Sequence, residues 1–248
     1  MKIAEIRRYP IKSLLGERPT RAEVDRRGLA GDRLWAVRDD DGKLGSGKNT
    51  RRFRRMPGLF LLRGHSSDSS PGHPSDDLRG HSSVGVPVVE LPDGRRFAAD
   101  DPAGHLAVSE VLGRRVTIAP EAEVRHHDEG PVSLISTAAL RRLAELTGSV
   151  VDPLRFRANL LVDLPGDGFP EEEWLGRDLR IGDQVVVRPH RRLTRCVMID
   201  LAQEDAPEHG RLLRTVADHH EMAFGVWATV ERAGRIALHD PIALLPAR

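Results

Sequence analysis

The chain of 248 residues contains one cysteine, Cys196, and few aromatic residues, which make up 4% of the sequence. A single cysteine excludes an internal disulfide, a four-cysteine zinc site and an iron–sulfur cluster held by cysteines. It is compatible with a reducing cytosol. The chemistry of any cysteine-based site must therefore centre on one thiol.

Net charge is also nearly absent, because 38 Lys and Arg residues oppose 37 Asp and Glu residues, giving +1. This balance provides no overall field for nucleic acid or a membrane surface, so any basic patch must be local. No apolar run approaches the roughly 20 residues that span a bilayer. The start, MKIAEIRRYPIKS, lacks the apolar stretch of a signal peptide. We therefore expect a cytoplasmic protein without a membrane partner.

Short apolar segments punctuated by Gly, Pro and Asp dominate the chain and predict a mainly β fold with a few helices, of the α+β class. Hairpins are predicted at Asp41-Gly42 and at Pro92-Asp93-Gly94. Residues 65–83 are rich in Ser, Gly, Pro and Asp, which predicts a flexible surface loop. The predicted strands are 2–9, 33–38, 86–91, 95–98, 159–164, 179–181, 184–187, 224–231 and 235–237.

Three helices are predicted, over residues 102–112, 136–146 and 208–219. The second has the clearest pattern, because an apolar stripe recurs at helical spacing. Ser136 or Thr137 can cap its start, and Gly148 ends it.

Cys196 alone is ambiguous. A lone cysteine is most often a small buried hydrophobe. However, Arg191, Arg192 and Arg195 lie within five residues, and His190 is close. Cationic surroundings favour the thiolate, which is the form that binds a soft metal or attacks an electrophile. These residues leave both interpretations open.

Other polar segments lie at the ends of predicted strands. Lys12 and Ser13 offer a charge and a hydroxyl to a phosphate, or form an ordinary solvated turn. Residues 46–55 are the densest basic run, with the glycine spacing of neither a Walker A loop nor a Rossmann fingerprint. Nucleic-acid binding is a rival interpretation of this run, although one aromatic, Phe53, is a poor stacking platform. Arg155 and Arg157, two residues apart on a predicted strand, would share a face.

The order of these motifs resembles the MOSC family, named for the C-terminal domain of molybdenum cofactor sulfurases, in the form with an N-terminal β-barrel domain. The branch that it resembles includes the mitochondrial amidoxime-reducing component and its bacterial counterparts. The resemblance implies a MOSC β-barrel over 120–248 packed with an N-terminal β-barrel-like domain over 1–119. It covers nearly the whole chain except 65–83, through YPIKSLLG, GLAGDRLWAV, GKLGSGKNTRRF, GPVSLISTAAL, RFRANLLVD, EEEWLGRDLRIGD, RCVMID, FGVWATV and GRIALHDPI.

The resemblance implies a molybdenum cofactor, a molybdopterin that carries molybdenum. Cys196 matches the cysteine that ligates the metal, and a soft thiolate suits a metal that already has sulfur donors. Ser136 and Thr137 match hydroxyls at a helix start, where free amides also favour an anion. Lys48 stands where relatives carry Arg, which keeps the charge but loses the bidentate geometry. The residues that match cofactor contacts are Lys12, Ser13, Arg33, Ser46, Lys48, Asn49, Ser136, Thr137, Arg157, Asn159 and Arg195.

The implied activity is reduction of N-hydroxylated or N-oxide small molecules by a molybdenum-dependent oxidoreductase. Some relatives carry an appended ferredoxin-like domain, which needs four cysteines, whereas this chain has one. Electrons would therefore come from a separate protein of reductase, ferredoxin or cytochrome type. The alternative is a carrier, in which Cys196 bears a persulfide or holds the cofactor in transit. A nucleic-acid-binding module built on residues 48–55 is the third and least favoured hypothesis.

Overall fold

A computed structural model describes residues 1–67, 85–123, 125–127, 129–204 and 206–246. The chain forms two compact units that interleave in sequence. The larger unit contains Met1–Arg7, Arg18–Ala30 and Glu129–Arg248, and the smaller unit contains Arg8–Glu17 and Gly31–Asp128. The sequence-based boundary between residues 119 and 120 stays a prediction.

Strands dominate the described residues, and three α-helices accompany them. The helices are α1 (Pro102–Leu112), α2 (Thr137–Thr147) and α3 (Leu212–His220). The strands, in chain order, are β1 (Lys2–Ile6), β2 (Ile11–Lys12), β3 (Arg21–Asp25), β4 (Gly28–Leu29), β5 (Trp35–Asp39), β6 (Leu44–Ser46), β7 (Phe53–Arg55), β8 (Arg63–His65), β9 (Val88–Glu90), β10 (Arg96–Ala98), β11 (Val116–Pro120), β12 (Val132–Ser136), β13 (Leu160–Asp163), β14 (Leu179–Ile181), β15 (Val185–Thr194), β16 (Ala223–Arg232), β17 (Gly234–Ala237) and β18 (Ile242–Leu244).

The larger unit is built on a sheet with the strand order β1-β13-β12-β16-β15-β14-β18. Its strands pair antiparallel except β12 and β13, which are parallel. Side chains alternate between the two faces, so Leu134 and Val226 join one apolar core while Ile135 and Leu161 join another that also contains residues of α2 and α3. A second sheet has the order β17-β3-β4.

The smaller unit contains a sheet with the order β11-β5-β6-β7, to which β2 adds by parallel pairing with β5. A second sheet has the order β10-β9-β8. The side chains of Ile11, Val37, Leu62, Val89 and Val108 belong to one core, so that both sheets and α1 share it. This unit places Lys12 at the end of β2 and Ser46 at the end of β6.

The structure confirms the predicted fold class and most of the predicted elements. Both hairpins form, with Gly42 and Gly94 in the left-handed region at φ 73° and 84°. Helix α2 begins at its Ser136 cap and ends at the left-handed Gly148. Helix α3 starts at Leu212, four residues later than predicted at 208, because Gly210 is left-handed.

Strand β15 is longer than predicted and reaches Thr194, because it pairs along its length with β16 despite its many arginines. The expectation that Arg155 and Arg157 share a strand face is wrong. Arg155 lies in a 3-10 helix, Pro153–Phe156, and Arg157 has a left-handed φ of 52°. Most of the predicted loop at 65–83 lies outside the described residues, and His65 at its start ends β8.

Among the described residues, no helix has both the length and the apolar composition needed to cross a bilayer.

Gly225 is required where β16 passes β12. Its φ of 84° is left-handed, and an added Cβ would collide with the Leu134 carbonyl oxygen and lie 2.6 Å from Ile135 Cγ2. We expect Gly225→Ala to lower the free energy of unfolding by about 3 kcal/mol or more, measured by denaturant titration. Gly148→Ala is the matched control, since Gly148 is also left-handed but an added Cβ meets nothing within 4 Å. Equal losses in the two variants would contradict the steric argument.

Candidate functional site

Cys196 follows the end of β15 and precedes a short 3-10 helix, Val197–Ile199. The residue is half-buried, and its neighbour Val197 is exposed. Its backbone is extended, and its carbonyl accepts a hydrogen bond from Ile199 N at 3.2 Å. The thiol is therefore not enclosed in an apolar core, which favours the chemical interpretation of Cys196 over the packing one.

The buried guanidinium of Arg195 anchors the cysteine segment on one side. Its Nε and Nη2 donate to the Phe224 carbonyl at 2.8 and 2.6 Å, and its Nη1 donates to the Phe156 carbonyl at 2.7 Å. It also lies over the Phe156 ring, 5.2 Å from the centroid. Charged hydrogen bonds of this kind are among the strong ones. A contact of Arg195 with a cofactor stays a prediction.

Two buried side chains fix the segment on the other side of Cys196. Gln203 Nε2 donates to the carbonyls of Met198 and Arg155 at 2.9 and 3.3 Å. Arg155 donates to three backbone carbonyls downstream of the cysteine, those of Ile199, Leu201 and Pro207. The thiol is consequently carried on backbone that is held from both directions.

Asn159 is fully buried, and its side chain joins neighbouring segments of the larger unit. Its Oδ1 accepts from Ser133 N and Oγ at 3.1 and 3.0 Å, and its Nδ2 donates to the Arg7 carbonyl at 3.3 Å. These bonds give Asn159 a structural role. Its predicted contact with a cofactor, like that of Arg157, stays a prediction.

The hydroxyls at the start of α2 also have internal partners. Ser136 Oγ accepts from Ala139 N at 3.0 Å and donates to Glu171 Oε2 at 2.6 Å. Thr137 Oγ1 exchanges two hydrogen bonds with Leu164, both of 3.0 Å. A buried carboxyl of the chain itself, Glu171, therefore occupies the helix start at which the sequence predicts an anion.

The smaller unit brings predicted residues together around the half-buried Phe53 ring. Lys12 Nζ, Lys48 Nζ and the Arg52 guanidinium carbon lie 5.5, 5.7 and 5.2 Å from its centroid. Lys12 is buried, whereas Lys48 is exposed. We call these four residues the Phe53 cluster. Such a concentration of positive charge favours an anion.

Arg33 and Ser13 both have left-handed backbones, with φ of 51° and 68°. Arg33 lies over the Tyr9 ring at 4.7 Å and donates to Asp32. Burial alone would raise the pKa of Asp32, but the Arg33 guanidinium and a hydrogen bond from Tyr9 N hold it well below its ordinary value. Asp32 is thus a fixed anion that forms an ion pair with Arg33 and orients its guanidinium.

Sequence patterns did not single out His126 or Arg52. Burial and the nearby Arg38 guanidinium lower the pKa of His126 to about 4, so its ring is neutral at pH 7. Arg38 Nη2 lies 2.9 Å from His126 Nε2, which accepts the hydrogen bond in that form. Arg52 donates to the carbonyls of Arg125 and His127. The basic run was a signal for Arg52, but nothing in the polar stretch after residue 120 marked His126.

The predicted site residues divide between the units. Among the described residues, no group of three or more His, Cys, Asp or Glu side chains could hold a metal ion. Ser46 is buried, and Asn49 Oδ1 accepts from Arg55 N at 2.8 Å. The smaller unit contains Lys12, Ser13, Arg33, Ser46, Lys48 and Asn49, and the larger contains Ser136, Thr137, Arg157, Asn159, Arg195 and Cys196.

The anchoring role of Arg195 predicts a large effect of Arg195→Lys. An ammonium cannot donate to both carbonyls in the fork geometry, so we expect a loss of about 2 kcal/mol in the free energy of unfolding. Arg141→Lys is the control, because Arg141 also donates to two carbonyls, those of Leu164 and Gly166, but is exposed. Denaturant titration should show a change within about 0.5 kcal/mol for the control. A loss of only about 0.5 kcal/mol for Arg195→Lys, as small as that of the control, would contradict the anchoring role.

Glu171 predicts a pH-dependent stability. Burial, helped by Glu172, raises its pKa from 4.5 to about 7, and Oε1 has no hydrogen-bond partner among the described residues. Below pH 4.5 both states hold the proton; between 4.5 and 7 only the folded state does, so its stability falls as pH rises. The total loss is roughly 3 kcal/mol. Glu171→Gln should remove this loss, so that its stability advantage over the wild type grows from pH 5 to 8 in unfolding titrations. A constant difference between the two proteins would refute the assignment.

Comparison with known proteins agrees with this architecture. The family model of the MOSC domain matches residues 121–243, and that of the MOSC N-terminal beta barrel domain matches residues 1–77. The crystal structure of the YuaD protein from Bacillus subtilis has a TM-score of 0.50 at 15% identity, over 97% of this chain and 93% of that chain. That likeness shows a shared fold.

A second crystal structure, of YiiM from Geobacillus stearothermophilus, has a TM-score of 0.37 at 16% identity, over 47% of this chain and 55% of that chain, too low to carry an argument. No curated protein matches the chain significantly. Because the two family models together match most of its length in the order expected, the chain belongs to the MOSC family.

Proposed function

We propose that the chain binds the molybdenum cofactor and reduces N-hydroxylated or N-oxide compounds with electrons from a separate protein. The MOSC domain is associated with molybdenum cofactor binding, which supports the first part. The reaction rests on the resemblance to the amidoxime-reducing branch of the family. The observation that carries the proposal is the half-buried Cys196 thiol on anchored backbone.

The residues present fit such a cofactor. A thiolate is a soft donor, and a metal that arrives with the sulfur donors of a pterin requires few protein ligands. Cys196 would supply that ligand. Within the smaller unit, the Phe53 cluster concentrates positive charge that suits an anion, and the burial of Lys12 strengthens its electrostatic interaction with such a group.

When bound, the cofactor supplies the two-electron chemistry that removes oxygen from an N–O bond. The residues of the chain hold and orient it. Arg195 fixes the backbone before Cys196, while Arg155 and Gln203 fix the backbone after it, so the backbone that carries the sulfur is held in place. A preorganised ligand of this kind lowers the cost of binding.

Elemental analysis and cofactor fluorescence of protein from a molybdenum-replete host test the proposal. We expect Cys196→Ser to retain no more than about one tenth of the molybdenum that the wild type retains. Lys12→Gln should retain less pterin, whereas Lys43→Gln, which removes a lysine outside the Phe53 cluster, should not. Molybdenum-loaded wild type should reduce N-hydroxylated compounds with an artificial electron donor. Absence of both molybdenum retention and turnover in the wild type would overturn the proposal.

A carrier function is the second candidate, since a half-buried lone thiol also suits a persulfide. Intact-protein mass spectrometry separates the two. A carrier should show the mass of one extra sulfur atom that disappears in Cys196→Ser and on treatment with a reductant. Bound cofactor without any persulfide would count against sulfur carriage.

A further inference from the structure

An exposed basic surface lies on the smaller unit where β6 connects to β7. It consists of Lys48, Arg51 and Arg55, and we call it the cationic edge. All three residues are exposed, and β7 is the last strand of its sheet. The chain as a whole has a net charge of only +1, so this concentration is local.

Among the described residues, no acidic side chain balances the charges of the cationic edge. The neighbouring Arg54 is paired with Asp39 and Asp41, at 2.7 and 2.5 Å. By contrast, none of the three residues of the cationic edge forms an ion pair with a described residue. Basic residues that serve only solubility are commonly interspersed with acidic ones. Three cations within eight residues that have no ion-pair partner in the described part of the chain therefore suit a complementary acidic surface.

The loop that carries these cations is already ordered. Thr50 Oγ1 accepts from Arg52 N and Phe53 N, at 3.2 and 3.0 Å. Asn49 Oδ1 accepts from Arg55 N at 2.8 Å. A partner that binds this surface has little ordering entropy to overcome in the loop.

The cationic edge adjoins the Phe53 cluster. Lys48 and the buried Lys12 lie 5.7 and 5.5 Å from the same Phe53 centroid. A protein docked on the edge would thus lie beside the Phe53 cluster. Phe53 is already surrounded by three cations, so it offers no free ring on which nucleic-acid bases could stack.

We propose that the cationic edge is the docking surface for an acidic electron-donor protein. This inference rests on the proposed function, which requires electrons from a separate chain. Redox complexes are small and transient, and charge complementarity governs their rate of association and their dependence on salt. The partner would present carboxylates complementary to the three cations of the edge.

The test is a binding titration of the full chain, without cofactor, against an acidic [2Fe–2S] ferredoxin and an acidic flavodoxin. We expect at least one of these proteins to bind the chain at low salt, with an affinity that falls as the salt concentration rises. Arg51→Glu with Arg55→Glu should weaken that binding at least roughly tenfold. The control is Arg26→Glu with Arg211→Glu, which makes the same change in net charge on exposed residues of the larger unit. This control variant should bind with an affinity within about twofold of that of the wild type at salt concentrations of about 0.1 M and above.

Three results would overturn the proposal: no binding of either donor at low salt, equal weakening by both double variants, or tighter binding of a single-stranded DNA oligomer through the same arginines. The binding readout does not depend on catalysis. If it follows the expected pattern while the molybdenum-loaded protein reduces no N-hydroxylated compound, the docking surface stands and the proposed reaction fails.

Discussion

The buried guanidinium of Arg195 is the interaction on which the cysteine segment depends. It joins the carbonyl of Phe224, near the start of β16, to the carbonyl of Phe156, in the 3-10 helix Pro153–Phe156. It also lies over the stacked rings of these two phenylalanines. A buried charge is costly unless its donors are satisfied, and here two carbonyls satisfy them. The same residue is the covalent neighbour of Cys196, so the interactions that stabilise this part of the larger unit also hold the backbone that carries the thiol.

Polar residues of the two units are used in different ways. In the larger unit, Ser136, Thr137 and Asn159 direct their side chains to other groups of the fold, and Glu171 occupies a helix start. In the smaller unit, Lys12, Lys48 and Arg52 converge on one aromatic ring, and two of them remain at least partly open to solvent. Among the described residues, the Phe53 cluster therefore suits an anion and Cys196 suits a soft metal.

Local patterns predicted the elements whose chemistry is local. Ser136 and Gly148 delimit α2, and turn residues mark both hairpins. The sequence order of motifs was sufficient for the family, which the family models confirm. Patterns could not show that Arg155 is a buried donor to three carbonyls rather than a strand residue, because its partners lie more than 40 positions away. They also could not show that Glu171 meets Ser136, since a run of three glutamates resembles a solvated surface.

The interleaving of the units constrains how the chain can fold. Strand β1 pairs with β13, and β3 pairs with β17, so the larger unit needs residues from both ends of the polypeptide. A fragment that begins after residue 120 would leave the edge of β13 without its partner, and open strand edges promote aggregation. During synthesis, β3 (residues 21–25) cannot pair with β17 until residues 234–237 have been synthesised. Completion of the larger unit is therefore a late event with distant contacts, which is the kind that slows folding and gives chaperones time to act.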